Sequence, residues 1–452
     1  MITKQKGTYD IYGDLAKKRM YVNDVLNALC EKFNYGYVET PVFEASELFH
    51  RGVGDTSDIV TKETYDFKDR GERSLTLRPE GTAGVVRWFV ENKLYGNMTD
   101  PVKVYYNQKM YRYERPQSGR NREFTQWGFE MFGSDSVEAD AEVISLAYNA
   151  YKLLGLEDVK IKLNSLGDDE SRNNYRKVLI DYFRPNIDKL CEDCQNRLEK
   201  NPLRILDCKV DADSEILKNA PKTIDYLNEE SKTRFEKLQD LLDLMDIPYE
   251  VDTNLVRGLD YYNHTVFEVV IDNSYALGGG GRYNGLVETL GGPSIPAVGF
   301  AMGYDRTMLA LDEQKVNIDM NDSIDLYIMY VSDTEKQMAS TLTQALRLNG
   351  YIVETDLMKK SLKSQFKSVD RYNSKFLTIL NDELIKKDEL IIKDNKTKEE
   401  YTVKIDELID FLDSKLDECD CGCQCGDDCS CGDDCDCGSE CHCGSNCHCH
   451  DE

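Results

Sequence analysis

The sequence predicts an α+β body built on antiparallel sheet, then a small α/β unit, then a tail with no core of its own. Three observations carry that expectation. Blocks rich in β-formers, separated by Gly, Pro and Asn clusters, lie on both sides of a charged, helix-patterned stretch at residues 168–248. Beyond residue 317, apolar runs and amphipathic stretches alternate as a βαβαβ unit. Of the 16 cysteines, 12 fall between Cys419 and Cys449, in a segment of Gly, Ser and Asp that cannot fold by burial.

The first element is a helix, because Val22, Val25, Leu26, Leu29, Cys30 and Phe33 recur at three- and four-residue steps and make one apolar stripe. YGYVETPVFE follows with strand alternation interrupted at Pro41, and β-rich blocks continue to about Gly133. Residues 135–160 return to helix and then strand, and RFEKLQDLLDLM typifies the helical stretch after 168. Past residue 317, IDLYIMYV is a buried strand, and SDTEKQMASTLTQALRLNG is a helix with Ser332 and Glu335 as capping box and Gly350 as its stop. YIVETDL, LKSQFKSVDRYNSKF and FLTIL supply strand, helix and strand. On that second helix Lys359, Lys363, Lys367 and Arg371 recur every four residues opposite Leu362, Phe366 and Val369. Such a stripe is either a solvated charged face or a track for phosphates.

Charge and composition exclude several classes. No apolar run approaches the ~18 residues of a membrane span, and the polar start MITKQKGTYD lacks a secretory apolar stretch, so the expected location is the cytoplasm. Of the net charge of −27, the segment from Glu418 to Glu452 supplies ten negative charges. The remaining body is acidic enough to repel a phosphate backbone, so any RNA ligand needs local basic patches.

Three blocks carry chemistry. MYRYERPQSGRNREFTQWGFEMFG, residues 110–133, reads as an antiparallel hairpin with a long loop. Strand alternation puts Arg112 with Glu114 on one face of the first strand, and Gln126, Gly128 and Glu130 on one face of the second; if those faces coincide, a cation, an amide and two carboxylates converge over a floor made shallow by Gly128. Buried ions cost several kcal/mol unless paired, which argues for function there. Arg115, Arg120 and Arg122 add positive charge in the loop. SLTLRPEGTAGVVR places Glu80 and Thr82 on one side of an extended chain, or else forms a turn around Pro79 and Gly81. In the third block Arg257 lies on an otherwise apolar strand, Gly278 to Gly281 allow close approach of a base or phosphate, and Arg306 sits at a helix start, where the dipole favours anions. No GxxxxGK[ST] loop occurs.

With these blocks in view, the chain from KGTYD to about residue 417 resembles the histidyl-tRNA synthetases, a class II aminoacyl-tRNA synthetase family. ETPVFE, TLRPEGTA, MYRYERPQSGRNREFTQWG, LVRGLDYYNHTVFE, GGRYNGL and GFAMGYDR carry the resemblance. It implies a class II catalytic core of antiparallel sheet with helices at 1–167 and 249–316, split by a helical insertion at 168–248. An α/β anticodon-binding domain would follow at 317–417, and a disordered metal-binding-type tail at 418–452. The implied activity is ligation of histidine to tRNA(His) through a histidyl-adenylate, with ATP and Mg2+, in a cytoplasmic homodimer joined through the Pro41 region.

The resemblance also implies roles. Glu80, Thr82 and Gln126 would hold the α-amino group, and Glu130 with Tyr261 and Tyr262 would enclose the imidazole. Arg112 would hold the ATP α-phosphate beside Glu114 near the adenine, Arg257 would bridge the histidine carboxylate and the α-phosphate, and Arg306 would meet adenine and γ-phosphate. Gln117, Arg120, Lys359, Lys363, Lys367 and Arg371 would contact tRNA. Departures from the family pattern are Thr125, Asn284, Asp305 and Tyr12-Gly13, none of them a primary ligand. A competing reading is a non-catalytic paralogue such as the regulatory subunit of ATP phosphoribosyltransferase, which usually lacks the C-terminal domain and several of these ligands.

Two cysteine groups stand apart. Cys191-x-x-Cys194 and Cys208 have part of a zinc spacing with no evident fourth ligand, the alternative being free thiols in a helical region. In the tail, a run of Cys419, Cys421, Cys423 and Cys425 comes first. Four Cys-x-Cys pairs follow it: Cys429 with Cys431, Cys435 with Cys437, Cys441 with Cys443, and Cys447 with Cys449. Together with His442, His448 and His450 these suit Zn2+ or Cu+. Taken alone, the tail would suggest a metal-storage or sensing protein.

Overall fold

The computed structural model describes residues 1–54, 57, 59–271, 275–318 and 323–416. The chain divides into two compact units, Met1–Met320 and Asn321–Glu452. The expected tail ligands lie outside the described residues: Cys419, Cys421, Cys423, Cys425, Cys429, Cys431, Cys435, Cys437, Cys441, Cys443, Cys447 and Cys449, with His442, His448 and His450.

The strands, in chain order, are β1 (Gly36–Tyr37), β2 (Phe43–Ala45), β3 (Tyr65–Lys68), β4 (Ser74–Leu77), β5 (Val102–Tyr111), β6 (Glu123–Phe132), β7 (Val159–Ser165), β8 (Tyr249–Val251), β9 (Asn263–Ile271), β10 (Tyr275–Arg282) and β11 (Ala297–Gly303). An eight-stranded sheet runs β1-β5-β6-β11-β10-β9-β7-β8, antiparallel except for the β1/β5 and β7/β8 edges. Pro41, which lacks an N–H, falls where the chain leaves this sheet for a second one, ordered β2-β4-β3.

One face of the large sheet is closed by the expected first helix, Gly13–Lys32, by Val137–Leu153 and by Glu229–Leu244. Val22, Leu26, Leu29 and Cys30 are buried in that core, as their spacing requires, together with Phe235, Leu238 and Leu242. The last helix of the stretch read as an insertion therefore serves the main body. The rest of it, around Tyr175, Leu179 and Phe183, makes a small core of its own. On the opposite face the helix Thr82–Glu91 packs Val85, Val86 and Phe89 against Tyr106 and Phe132.

The second unit contains β12 (Leu326–Tyr330), β13 (Val353–Thr355), β14 (Phe376–Leu380), β15 (Glu389–Asp394) and β16 (Glu400–Lys404), ordered β13-β12-β14-β15-β16. The first three form the expected parallel βαβαβ unit, and two antiparallel strands extend it. The helix Asp333–Leu348 starts on the Ser332/Glu335 capping box, and Gly350 adopts φ 96° just past its end.

The basic helix spans only Leu362–Arg371, so Lys359 is not on it but in the preceding loop at φ 55°. Phe366 also departs from expectation. It is 41% exposed on the side of Lys363 and Lys367, while Gln365, Ser368 and Val369 form the buried face.

Candidate active site

The site lies over β6, β11 and β10, where glycines on the strands make room for charged side chains. On β6 the carboxylate of Glu130 is 1% exposed. Thr82 donates to it at 2.8 Å, Tyr283 at 2.6 Å and Tyr106 at 3.4 Å. A side chain at Gly299 on the neighbouring β11 would collide with this carboxylate, so glycine there is a steric requirement. Burial, opposed by the Tyr283 and Thr82 hydrogen bonds and reinforced by Glu80, pushes the Glu130 carboxyl up to about 8. It is thus a buried acid ringed by hydroxyls, with no cation in contact among the described residues. Tyr261 stacks at a tilt on Tyr262, 4.7 Å between ring centroids, and meets Tyr283 edge-on at 5.6 Å, completing an aromatic wall.

Glu80 and Thr82 are not on an extended chain. Thr82 begins a helix, and the Glu80 carboxylate accepts from the Thr82 and Ala83 N–H groups at 2.8 Å each, capping it. A carboxylate at a helix N-terminus satisfies orphan donors and faces the positive dipole end, which offsets part of the burial that still raises the carboxyl of this 3% exposed residue above its ordinary value. Gln126 reaches the same turn, its Oε1 accepting from Gly81 N at 3.1 Å. Gln126, Gly128 and Glu130 do share one face, but the space over Gly128 is filled by the Tyr106 phenol rather than left as a shallow floor.

The cations cluster beyond the end of β5. That strand stops at Tyr111, so Arg112 and Glu114 lie past it and do not share a strand face. Arg112 Nε donates to Pro79 O at 2.8 Å, and its guanidinium is 3.9 Å from Glu114. The same Glu114 pairs with Arg120 at 3.3 Å, in the loop where Gln117 and Arg120 bridge to each other. Arg306 enters the helix Tyr304–Glu313 in its first turn, as expected, and donates to Ala276 O at 2.9 Å. It forms no ion pair among the described residues. Burial and then the Arg120 guanidinium lower its pKa, against the pull of Glu114 and Glu268. An anion placed between these two arginines would relieve that repulsion.

Arg257 is not on a strand. It lies in the loop between β8 and β9, paired with Glu268, its Nε buried without a hydrogen-bond partner among the described residues. Its guanidinium lies against Gly279, where any side chain would displace it. The four glycines of β10 split by face. Gly278 and Gly280 meet Phe300, Tyr151 and β11, while Gly279 and Gly281 meet Arg257, Tyr262 and the β9 backbone, so only the latter pair borders the site.

The departing positions avoid the ligand face. Thr125 accepts from Arg19 at 2.5 Å, Asp305 pairs with Arg19 at 3.3 Å, and Asn284 donates to Asp135 at 3.2 Å. Composition and spacing do not single out Tyr106, Tyr283 or Glu268. Tyr283 stands in GGRYNG beside the arginine that motif supplies, and its position there is the available signal.

Comparison with known proteins agrees with this geometry. A family model described as histidyl-tRNA synthetase matches residues 7–307, and one described as anticodon binding domain matches residues 325–415. The chain is 48% identical over 416 residues to a histidine–tRNA ligase of Bacillus cytotoxicus, covering 91% of this chain and 98% of that one. Histidine–tRNA ligase 2 of Bacillus cereus matches at the same identity and coverage. Among solved structures, apo histidyl-tRNA synthetase of S. aureus superimposes with a TM-score of 0.79 at 39% identity, covering 91% of this chain and all of the other.

Proposed function

The chain belongs to the histidyl-tRNA synthetase family, and from that premise we propose that the Glu130 pocket holds histidine and the arginine cluster holds ATP. The protein is a histidine–tRNA ligase. The histidine carboxylate attacks the α-phosphorus of ATP, pyrophosphate leaves, and the 3′-terminal ribose of tRNA(His) then displaces AMP from the carbonyl carbon.

The observation that carries the site assignment is a buried acid within a hydroxyl ring, next to cations that share too few carboxylates. Glu130 with Tyr261 and Tyr262 takes the imidazole. Glu80, Thr82 and Gln126 sit together at one turn and take the α-amino group. Arg257, whose Nε has no hydrogen-bond partner among the described residues, bridges the histidine carboxylate and the α-phosphate. Arg112 holds that phosphate, Glu114 lies near the adenine, and Arg306 meets adenine and the γ-phosphate. Bringing two anions together is the barrier, so fixed cations and positioning supply most of the rate. Mg2+ arrives with ATP. The reading is tested by histidine-dependent ATP–pyrophosphate exchange: Arg257→Ala should lower it by roughly 10²–10³ with the fold intact. Exchange within a few-fold of wild type would remove Arg257 from the site.

For tRNA, we assign Gln117 and Arg120 to the acceptor end, and Lys363, Lys367 and Arg371, with Lys359 from the adjoining loop, to the second unit's contact. Phe366, exposed between Lys363 and Lys367, offers a face on which a base can stack. A homodimer through the Pro41 region is supported by exposed Val42, Phe43 and Phe67, the last two 6.1 Å apart edge-to-face. We assign the domains to 1–167, 168–248, 249–316 and 317–417, followed by a tail at 418–452 whose Cys-x-Cys pairs bind Zn2+ or Cu+. No helix among the described residues is long and apolar enough to cross a membrane. The proposed compartment is the cytoplasm, in keeping with free thiols at Cys30, Cys191, Cys194 and Cys208.

A further inference from the structure

We propose that Cys191, Cys194, Cys208 and Asp211 form a structural zinc site in the helical segment, independent of the tail. Their ligand atoms, three sulfurs and a carboxylate oxygen, all lie within 4.8 Å of one another. Cys191 Sγ and Cys208 Sγ are 3.6 Å apart, and Cys208 Sγ is 3.5 Å from Asp211 Oδ2. Two sulfurs bound at about 2.3 Å to a tetrahedral zinc stand about 3.8 Å apart, and a sulfur and a carboxylate oxygen about 3.5 Å apart. These two pairs already have nearly that spacing, and the remaining separations stay within 4.8 Å. A disulfide would need about 2.05 Å between sulfurs, and would leave the third thiol and the carboxylate without a purpose.

The ligands fall as Cys-x2-Cys-x13-Cys-x2-Asp, two paired turns of the kind that grip one ion between them. Cys191 precedes the helix Glu192–Lys200 and Cys194 lies in its first turn, while Cys208 and Asp211 follow the short helix Leu203–Leu206. Asp211 Oδ2 accepts from Cys191 N–H at 2.9 Å, which orients the carboxylate toward the sulfurs. Cys194 and Cys208 are buried, so the segment places a polarizable, ionisable cluster inside a core of limited apolar content. Three thiolates suit a soft tetrahedral ion, and the carboxylate favours divalent Zn2+ over Cu+. Binding converts three thiols to thiolates and releases their protons to solvent. Between the paired turns Asn201 donates to Asp260 at 2.8 Å, on the loop that carries Tyr261 and Tyr262. The ion would therefore brace a hairpin that supports the histidine pocket.

The tail would mask a single zinc, so the test uses the full-length chain with the twelve tail cysteines, Cys419 through Cys449, changed to serine. Purified under reducing conditions with added Zn2+ and then dialysed, it should retain about one zinc per chain by elemental analysis, the stoichiometry of one four-ligand site. With Co2+ instead, it should show sulfur-to-metal charge transfer and the visible bands of a tetrahedral ion. Cys194→Ser with Cys208→Ser should abolish both signals, and in the native chain the same pair should lower zinc content by about one. Asp211→His, which creates a familiar three-cysteine, one-histidine set, should keep the ion. Should the double variant fail to fold, the parent protein alone decides. Zinc well below stoichiometric in the folded parent, zinc unchanged in the double variant, or a Cys191–Cys208 disulfide found by mass in the reduced preparation would each overturn the proposal.

Discussion

The two ends of β10 border arginines in opposite circumstances: fully buried at one end, half-buried at the other. At its C-terminal end Arg282 is fully buried and every donor nitrogen is used: Nε and Nη2 grip Asp140 at 3.1 and 2.7 Å, Nη1 reaches Ser134 O at 2.8 Å, and Nη2 reaches Ser136 O at 3.0 Å. Asp140 also takes Arg234 at 2.6 Å. Near the N-terminal end, Arg306 has one carbonyl, and Arg112 and Arg120 share one carboxylate. A saturated cation is part of the scaffold, whereas a cation short of partners is kept for a ligand that brings its own negative charge.

The sharpest way to break this comparison is at the saturated end. Arg282→Ala leaves Asp140 buried without its bidentate partner, and should destabilise the first unit by about 3–5 kcal/mol, seen as a lower urea midpoint. A loss below about 1 kcal/mol would mean that the network is dispensable.

Glu130 supplies the next effect. Between the ordinary imidazole value of about 6.5 and its own value of about 8, the free pocket holds one titratable proton, while the ring of free histidine is the neutral imidazole with its single N–H. The complex keeps that single proton between carboxyl and imidazole, so affinity should be flat across this window. Above it the free carboxyl is ionised and binding must take up a proton, so affinity should fall by up to about tenfold per pH unit. Below it the imidazolium must release one, and affinity falls again. Glu130→Gln should remove the alkaline limb and raise the KM for histidine far more than that for ATP. Calorimetric titration across pH reads the limb, and an alkaline profile unchanged in the variant would count against Glu130.

A smaller effect is expected in the second unit. Replacing Lys359, Lys363, Lys367 and Arg371 with Gln should weaken tRNA binding and flatten its salt dependence, leaving pyrophosphate exchange untouched. A salt slope equal to wild type would return these side chains to plain solvation. The smallest effect belongs to the tail: deleting residues 419–452 should leave aminoacylation near wild type and remove most bound metal, read by elemental analysis.

Residue types within motifs are legible in the sequence because the chemistry restricts them, and their local backbone is less so. Glu130 and Gln126 fall on the face that strand alternation gives them. Arg257 reads as a strand residue because Leu255 and Val256 look like strand neighbours, yet they are buried as a loop packs against Tyr262 and Tyr283. Glu80 and Thr82 read either as an extended pair or as a turn around Pro79 and Gly81, and nothing in TLRPEGTA decides between them; the turn forms, and the Glu80 carboxylate caps the helix begun two residues later. β15 and β16 escape the pattern since charged residues interrupt ELIIKD and EYTVK, as half-exposed edge pairing permits. Asp211 is invisible to a metal spacing built from Cys and His alone, because one aspartate among many carries no mark of its sulfur neighbours.

The most direct test of the division between saturated and partner-poor arginines is histidine-dependent ATP–pyrophosphate exchange by Arg306→Ala, measured beside its urea unfolding. Exchange should fall by about 10²-fold or more, the loss expected for one charge-stabilising group, while the unfolding midpoint stays with wild type. Exchange within a few-fold of wild type, or a midpoint lowered as far as that of Arg282→Ala, would contradict it.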